Sequence, residues 1–228
     1  MRLDNFFKKI KRKRSFLTVD EALEVIKQYK IRVAEWKLVK DVEEAVEFAN
    51  AKKYPVILKV VSPDIVHKTD VGCVFVDLKR KEDIEKAYRR MVYNIKKNAP
   101  RAKIKGFIVQ RMIEGGQPVI IGGKKDPQFG QVVMFGLGGV FVEMMKDVSF
   151  RACPINKKDA IEMIEEIKGY KILKTYRGKS YDINSLVDIL LKTSKMLVEN
   201  QEIEELDINP VFALPKGAMA VDARIVLS

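Results

Sequence analysis

YPVILKVVSPDIVHKTDVGCVFV, residues Tyr54 to Val76, is the stretch that decides the fold. Val56, Ile57, Leu58, Val60 and Val61 form a β-branch-rich apolar run of the kind a sheet interior selects. Lys59 interrupts it. Taking an ammonium out of water is costly unless it meets an opposite charge, so a lysine here asks for an anion. The alternative is an edge strand from which Lys59 reaches solvent. A polar loop follows, Ser62 to Asp70, and holds the chain's only histidine, His67, beside Lys68, Thr69 and Asp70. Gly72 then lets the backbone approach something closely before a second strand begins.

Upstream, residues 1–17 form a basic segment, in which Lys8 to Arg14 is a block of like charge. Thr18 and Glu21 make a capping box for a helix whose inward face is Ala22, Val25, Ile26 and Tyr29. A short strand at Trp36 to Val39 leads to a second cap at Asp41 and a helix burying Val42, Ala45, Val46 and Ala49. Downstream, Lys81 to Lys97 reads as a helix with Ile84, Ala87, Tyr88, Met91 and Ile95 on its buried side. From Gly106 the pattern becomes strand and turn: 106–112, 118–122 and 131–136. Asn156 and Asp182 open two further helices, and strands at 203–211 and 218–227 close the chain. This alternation predicts an α+β fold of two lobes, 18–108 and 109–228, joined near 107–112.

Composition narrows the function classes. No apolar run approaches the length of a membrane span, and the basic N-terminus lacks the apolar region of a secretion signal. One histidine and two scattered cysteines, Cys73 and Cys153, do not supply a zinc site, and reduced core thiols fit a cytoplasmic chain. The formal net charge of +12 is spread among acids, as in KRKEDIEKAYRR, which fits a thermophile surface or a phosphate handler better than a nucleic-acid binder.

Three constellations carry chemistry. Strand alternation puts Asp207 and Asn209 on one face, with Asp222 on the neighbouring strand across a hairpin. Oxygen ligands so paired suit Mg²⁺ when phosphate and water complete its shell. The alternative is a turn-forming Asn-Pro and an exposed aspartate. Gly136, Gly138 and Gly139 follow a strand and could turn N–H groups toward an anion, although a bare GxGG is as often a tight turn. His67 sits in a polar loop rather than on an apolar face. A neutral imidazole there is a competent phosphoryl acceptor, against the commoner fate of a half-buried structural histidine.

The Tyr54–Val76 stretch, the string DPQFGQVVMFGLGGVFVEMMKDVSFRACPI and the DINP…VDARI ending together resemble the NDP-forming acyl-CoA synthetases, more narrowly the beta chains of the ADP-forming acetate–CoA ligases, from about Thr18 to Leu227. The resemblance implies an ATP-grasp fold with ATP or ADP and Mg²⁺ between two lobes. By this likeness Lys59 contacts the phosphates, Asn209 and Asp222 hold magnesium with Asp207 nearby, and Arg151 offers its guanidinium to the transferring phosphoryl group, oriented by Glu143 or Asp147. The adenine lies along Val109, Gln110, Arg111 and Met112. Gln117 stands where the family often has a ribose-binding glutamate, with Glu114 as the alternative. Cys73 stands where the family usually has glycine. His67 would relay phosphate to ADP, in the reaction acyl-CoA + ADP + phosphate ⇌ acid + CoA + ATP. A CoA-binding alpha subunit is implied, most simply in an α₂β₂ heterotetramer. A ligase of another acid (aryl, branched-chain or succinate) and a non-catalytic nucleotide-binding regulatory subunit stay open.

Overall fold

The structure is a computed structural model that describes residues 3–65, 68–138, 147–174 and 180–228. Its chain divides into two compact units, Ala34–Glu114 and a larger one made of Met1–Val33 with Gly115–Ser228.

In the smaller unit, β1 (Trp36–Val39), β2 (Val56–Val61), β3 (Val74–Leu78) and β4 (Gly106–Arg111) form an antiparallel sheet in the order β1-β4-β2-β3. Helices α3 (Val42–Lys52) and α4 (Lys81–Asn98) cover one face. Their inward residues Ala45, Ala49, Ile84, Met91 and Ile95 meet Val56, Leu58, Val60, Phe107 and Val109 in one apolar cluster. The cap on α3 is the one expected, with the Asp41 carboxylate accepting the Glu44 N–H at 2.9 Å. On α4 the anticipated Ile84, Ala87, Met91 and Ile95 are the buried residues.

The larger unit is built on β5 (Gln117–Asp126), β6 (Gly130–Leu137), β7 (Val148–Ala152), β8 (Ile203–Ala213) and β10 (Arg224–Leu227), in the order β10-β8-β5-β6-β7, with β9 (Ala218–Ala220) also paired to β8. Helices α5 (Lys157–Glu166) and α7 (Ile183–Glu199) pack on one face of this sheet, and α6 (Tyr170–Lys174) adjoins α5. A Cβ at Gly123 would collide with Leu197 of α7, so glycine lets the helix lie close on the strand. Asn156 and Asp182 cap α5 and α7 as anticipated.

The division of the chain differs from the sequence expectation. Residues 18–33 do not belong with the following lobe. Helices α1 (Leu3–Lys11) and α2 (Val19–Gln28) belong to the larger unit. Leu17 N–H donates to Ile225 O at 2.9 Å, Leu227 N–H to Ser15 O at 2.6 Å, and Ala220 N–H to Arg32 O at 2.9 Å. These bonds strap the N-terminus onto the C-terminal hairpin, so the smaller unit is an insertion between residues 33 and 115. β7 is a further strand that apolar patterning did not reveal. The expected single strand 218–227 is two strands, broken at 221–223.

Candidate nucleotide site

Lys59 lies in β2, which is flanked by β4 and β3 and is buried throughout. The edge-strand alternative therefore falls. Lys59 is 5% exposed and opposes Ile108 and Val74. Because Leu58 and Val60 face the helices, Lys59 and Ile57 face the other side of the sheet. Gln110, fully buried and opposite Ile57 and Trp36, shares that side. Arg111 is exposed and near Glu35, 3.9 Å from its guanidinium, while Met112 N–H donates to Pro55 O at 3.0 Å. The smaller unit thus offers one buried cation and one buried amide on a single sheet face.

His67 and Val66 lie outside the described residues, as do Gly139 and Glu143. The residues on either side of His67 are held by hydrogen bonds. On the leading side, Ser62 Oγ donates to Lys103 O at 2.8 Å, and Asp64 accepts the Lys103 N–H at 2.6 Å. On the trailing side, Asn94 Nδ2 donates to Gly72 O at 2.7 Å. Gly72 has φ +68, and a Cβ there would sit 2.8 Å from the Asn94 amide nitrogen. Glycine at 72 thus serves the close approach expected of it, here against Asn94 of α4, and also a left-handed turn that the sequence does not announce.

In the larger unit the C-terminal hairpin sets the metal candidates. Val211 opposes Ala220, and Asp207 opposes Arg224. The two pairs share one register across the break at 221–223, which sets Asn209 opposite Asp222. Val221 N–H donates to Pro210 O at 3.0 Å and holds that register through the gap. Asn209 is exposed, and the Asp222 carboxylate accepts the Ala223 N–H at 2.9 Å. Leu206 and Ile208 are on the core side of β8, which leaves Asp207 and Asn209 to the other by alternation, just before the register with β5 shifts between Val119 and Ile121.

Asp207 is the most perturbed carboxyl here. Burial, reinforced by Glu205 and Asp222 and opposed by Arg224, pushes it up to about 6 from 3.8. Its Oδ1 is buried and accepts no hydrogen bond among the described residues. Asp207, Gly122, Met134 and Phe150 form one cross-strand row over β8, β5, β6 and β7. They line a cavity of about 460 Å³ on the face opposite α7. A Cβ at Gly122 would press on Met134 Cε at 3.1 Å and Leu206 O at 3.2 Å.

The donor set fits Mg²⁺. Asn209 and Asp222 supply hard oxygens across one hairpin, and the unsatisfied Asp207 oxygen lies two residues from Asn209. Among the described residues there is no cluster of three or more His, Cys, Asp or Glu that would cage a metal by itself. Mg²⁺ bound with a nucleotide does not need one, because phosphate and water fill most of its octahedron.

Three expectations meet a different geometry. Arg151 is on β7 next to Ser149, whose hydroxyl donates to Met163 O of α5 at 2.8 Å, and it faces α5. Its guanidinium makes a two-pronged pair with Glu166, at 2.9 and 2.6 Å, on the face opposite Asp207. Asp147 does not orient Arg151. Its carboxylate accepts the N–H groups of Lys168 and Gly169, both at 2.7 Å. Gly136 is inside β6 and Gly138 donates its N–H to Pro118 O at 2.9 Å, so that donor is already used. The close contacts of a Cβ at 138 with the Pro118 backbone give the packing reason for glycine. Gln117 opens β5, with Nε2 3.3 Å from Pro118 O.

A family model described as "ATP-grasp domain" matches residues 8–227. The beta subunit of acetate–CoA ligase [ADP-forming] I from Pyrococcus furiosus is 49% identical over 212 residues, covering 92% of this chain and 91% of that protein. This chain is an ATP-grasp protein of the ADP-forming acetate–CoA ligase family. Acetate–CoA ligase [ADP-forming] I of Archaeoglobus fulgidus is 46% identical to the ATP-grasp chain over 208 residues, which cover 91% of this chain but 30% of that longer protein. Among solved structures, dinucleotide forming acetyl-coenzyme A synthetase 1 of Ca. Korarchaeum cryptofilum, in complex with coenzyme A, Ca-AMPCP and HgCl+, matches with a TM-score of 0.95 and 47% identity over the full length of both chains. The same enzyme with coenzyme A and Mg-AMPPCP, its phosphohistidine segment pointing towards the nucleotide binding site, matches at TM-score 0.85 and 45% identity over 99% of each chain. No helix among the described residues of the ATP-grasp chain is long and apolar enough to cross a membrane.

Proposed function

We propose that this chain is the nucleotide-binding beta subunit of an ADP-forming acyl-CoA ligase, most simply acetate–CoA ligase, working in the cytoplasm with a CoA-binding alpha subunit as an α₂β₂ assembly. The observation that carries the reading is the hairpin register that, carried across the break at 221–223, opposes Asn209 to Asp222, beside a buried Asp207 oxygen without a hydrogen-bond partner among the described residues. Family membership and the Mg-AMPPCP and coenzyme A complexes of the structural relatives support it.

In this reading Asn209 and Asp222 hold the metal, Asp207 adds negative charge on its buried side, and Lys59 meets the nucleotide phosphates. Gln110, with the backbone of Arg111 and Met112, borders the adenine, and Gln117 serves the ribose. Bound Mg²⁺ would supply neutralisation of the phosphate charge. The His67 imidazole takes the phosphoryl group from an acyl phosphate formed on the alpha subunit, releasing the carboxylate, and a terminal oxygen of ADP then takes it from the imidazole, giving ATP and freeing the histidine. The pinned stems at Ser62–Asp64 and Gly72 fix where that loop starts and ends. Arg151 has no part in this scheme, because Glu166 occupies its guanidinium on the far face.

The test is ATP formation from acetyl-CoA, ADP and phosphate by the chain reconstituted with its alpha subunit. His67→Ala abolishes turnover and removes acid-labile ³²P from the chain after incubation with [γ-³²P]ATP, while Mg-ADP binding persists. Full activity of His67→Ala would remove the relay.

A further inference from the structure

Residues 86–105 hold eight lysines and arginines and no acid. Elsewhere on this surface cations alternate with carboxylates: Arg80 pairs with Asp83 and Lys81 with Glu85 at the start of α4 itself. Beyond that first turn the pairing stops. Lys86, Arg89, Arg90, Lys96 and Lys97 are exposed and make no ion pair among the described residues. At about 3.6 residues per turn all five fall within roughly 60° of Tyr93 around the helix. Tyr93 is 61% exposed, an uncommon fate for so large a ring, and it stands at the centre of this arc. Like charges spaced three and four apart on a helix destabilise it by about 0.2–0.5 kcal/mol per pair. The face therefore costs stability, offset in part at its C-terminal end, where Lys96 and Lys97 lie in the last turn and meet the negative end of the helix dipole.

Its location gives the second argument. The flank of the same helix holds the residues that follow the His67 stretch, through Asn94 to Gly72 O at 2.7 Å and Asn98 to Val71 O at 3.4 Å. The segment after the helix holds the other stem through Lys103. A body resting on the outer face of α4 would thus lie beside the base of the loop that must exchange phosphate with a second subunit. An aromatic ring amid arginines is the side-chain chemistry that dominates protein interfaces.

We propose that this face of α4, centred on Tyr93 with Arg89 and Arg90, docks an acidic surface of the companion alpha subunit. The inference rests on the beta-subunit reading above. A lone aromatic favours a protein partner over single-stranded nucleic acid, which stacks successive bases on several rings.

The experiment uses the full-length chain and its cognate alpha subunit. Association is measured by sedimentation velocity at low and high salt, with Mg-ADP binding to the isolated chain as a control for the site. Arg89→Glu with Arg90→Glu weakens association about tenfold or more and flattens its salt dependence, Arg89→Lys with Arg90→Lys keeps most of it, and Tyr93→Ala weakens it at all salt concentrations. Mg-ADP affinity and far-UV dichroism stay unchanged in all three. Unaltered association of the Glu variant overturns the docking face and leaves the nucleotide reading standing. Duplex DNA binding that is lost in the Glu variant while subunit association persists also overturns it, in favour of nucleic acid. A wild-type chain that neither associates nor binds Mg-ADP overturns the beta-subunit reading itself.

Discussion

Replacing Asp207 by Asn isolates the cost of holding a charge beside the proposed magnesium ligands, Asn209 and Asp222. The Asp207 carboxyl is raised from 3.8 to about 6, chiefly by burial. A carboxyl raised on folding contributes stability that is fully present below its unfolded value and lost as pH rises through the folded one. The window is therefore about pH 4 to pH 6. At about 1.36 kcal/mol per pH unit, a rise of about two units makes the ionised group cost up to about 3 kcal/mol at neutral pH. Asp207→Asn is the same size and uncharged, so in a chelating buffer it should be more stable than wild type at pH 7 by up to that amount. For a chain of this length that is about 6–12 °C in Tm. Below pH 4 the two should converge. Urea unfolding across the pH window, with and without Mg-ADP, reads the effect. Saturating Mg-ADP should stabilise wild type more than the variant, because the ionised oxygen then has its cation. Equal stability of the two chains at pH 7, with parallel pH profiles, would show that Asp207 is not a strained carboxylate awaiting charge.

Asp222→Ala and Asn209→Ala should each raise the Mg²⁺ concentration needed for ATP formation by about tenfold or more with the fold intact, which titration of activity against Mg²⁺ will show. Arg151→Met removes a half-exposed ion pair, so it should cost at most about 1 kcal/mol in urea unfolding and leave turnover within a few-fold of wild type; collapse of activity would return the guanidinium to the mechanism. Gly72→Ala forces a left-handed backbone and a clash with Asn94, a cost of about 1–3 kcal/mol visible in Tm, and should slow phosphoryl transfer more than it weakens Mg-ADP binding. Asp182→Ala loses the cap of α7, about 1 kcal/mol. The Ser185 hydroxyl, then the Gly217 N–H, hold the Asp182 carboxyl below its usual value, so the wild-type advantage should fade as pH drops through the acid range.

Much of this architecture was legible because its signals are local. The Asp41 and Asn156 caps, the buried stripe of α4 and the lysine in β2 each declare themselves within a few residues. Asp207 and Asn209 were assigned to one face by alternation alone, and the hairpin register then placed Asp222 opposite Asn209. What failed depended on partners far away in sequence. The strap of 15–17 along β10 answers to residues at the other end of the chain. Asp147 answers to backbone N–H groups at 168 and 169, and Arg151 to Glu166 on a helix beyond a turn. The GxGG pattern suggests a free donor at Gly138, whereas its N–H is committed to Pro118 O. The charge reading erred in a similar way: an overall count of +12 with acids nearby hid a stretch, 86–105, in which the acids are absent.

The smaller unit begins and finishes on neighbouring strands. Trp36 of β1 lies opposite Gln110 of β4, and Arg111 N–H donates to Glu35 O at 2.8 Å. A segment whose two ends are already stitched together closes its own loop. Residues 34–114 could thus be excised as a self-contained module, or transplanted into another host, with little chain entropy lost at the junction.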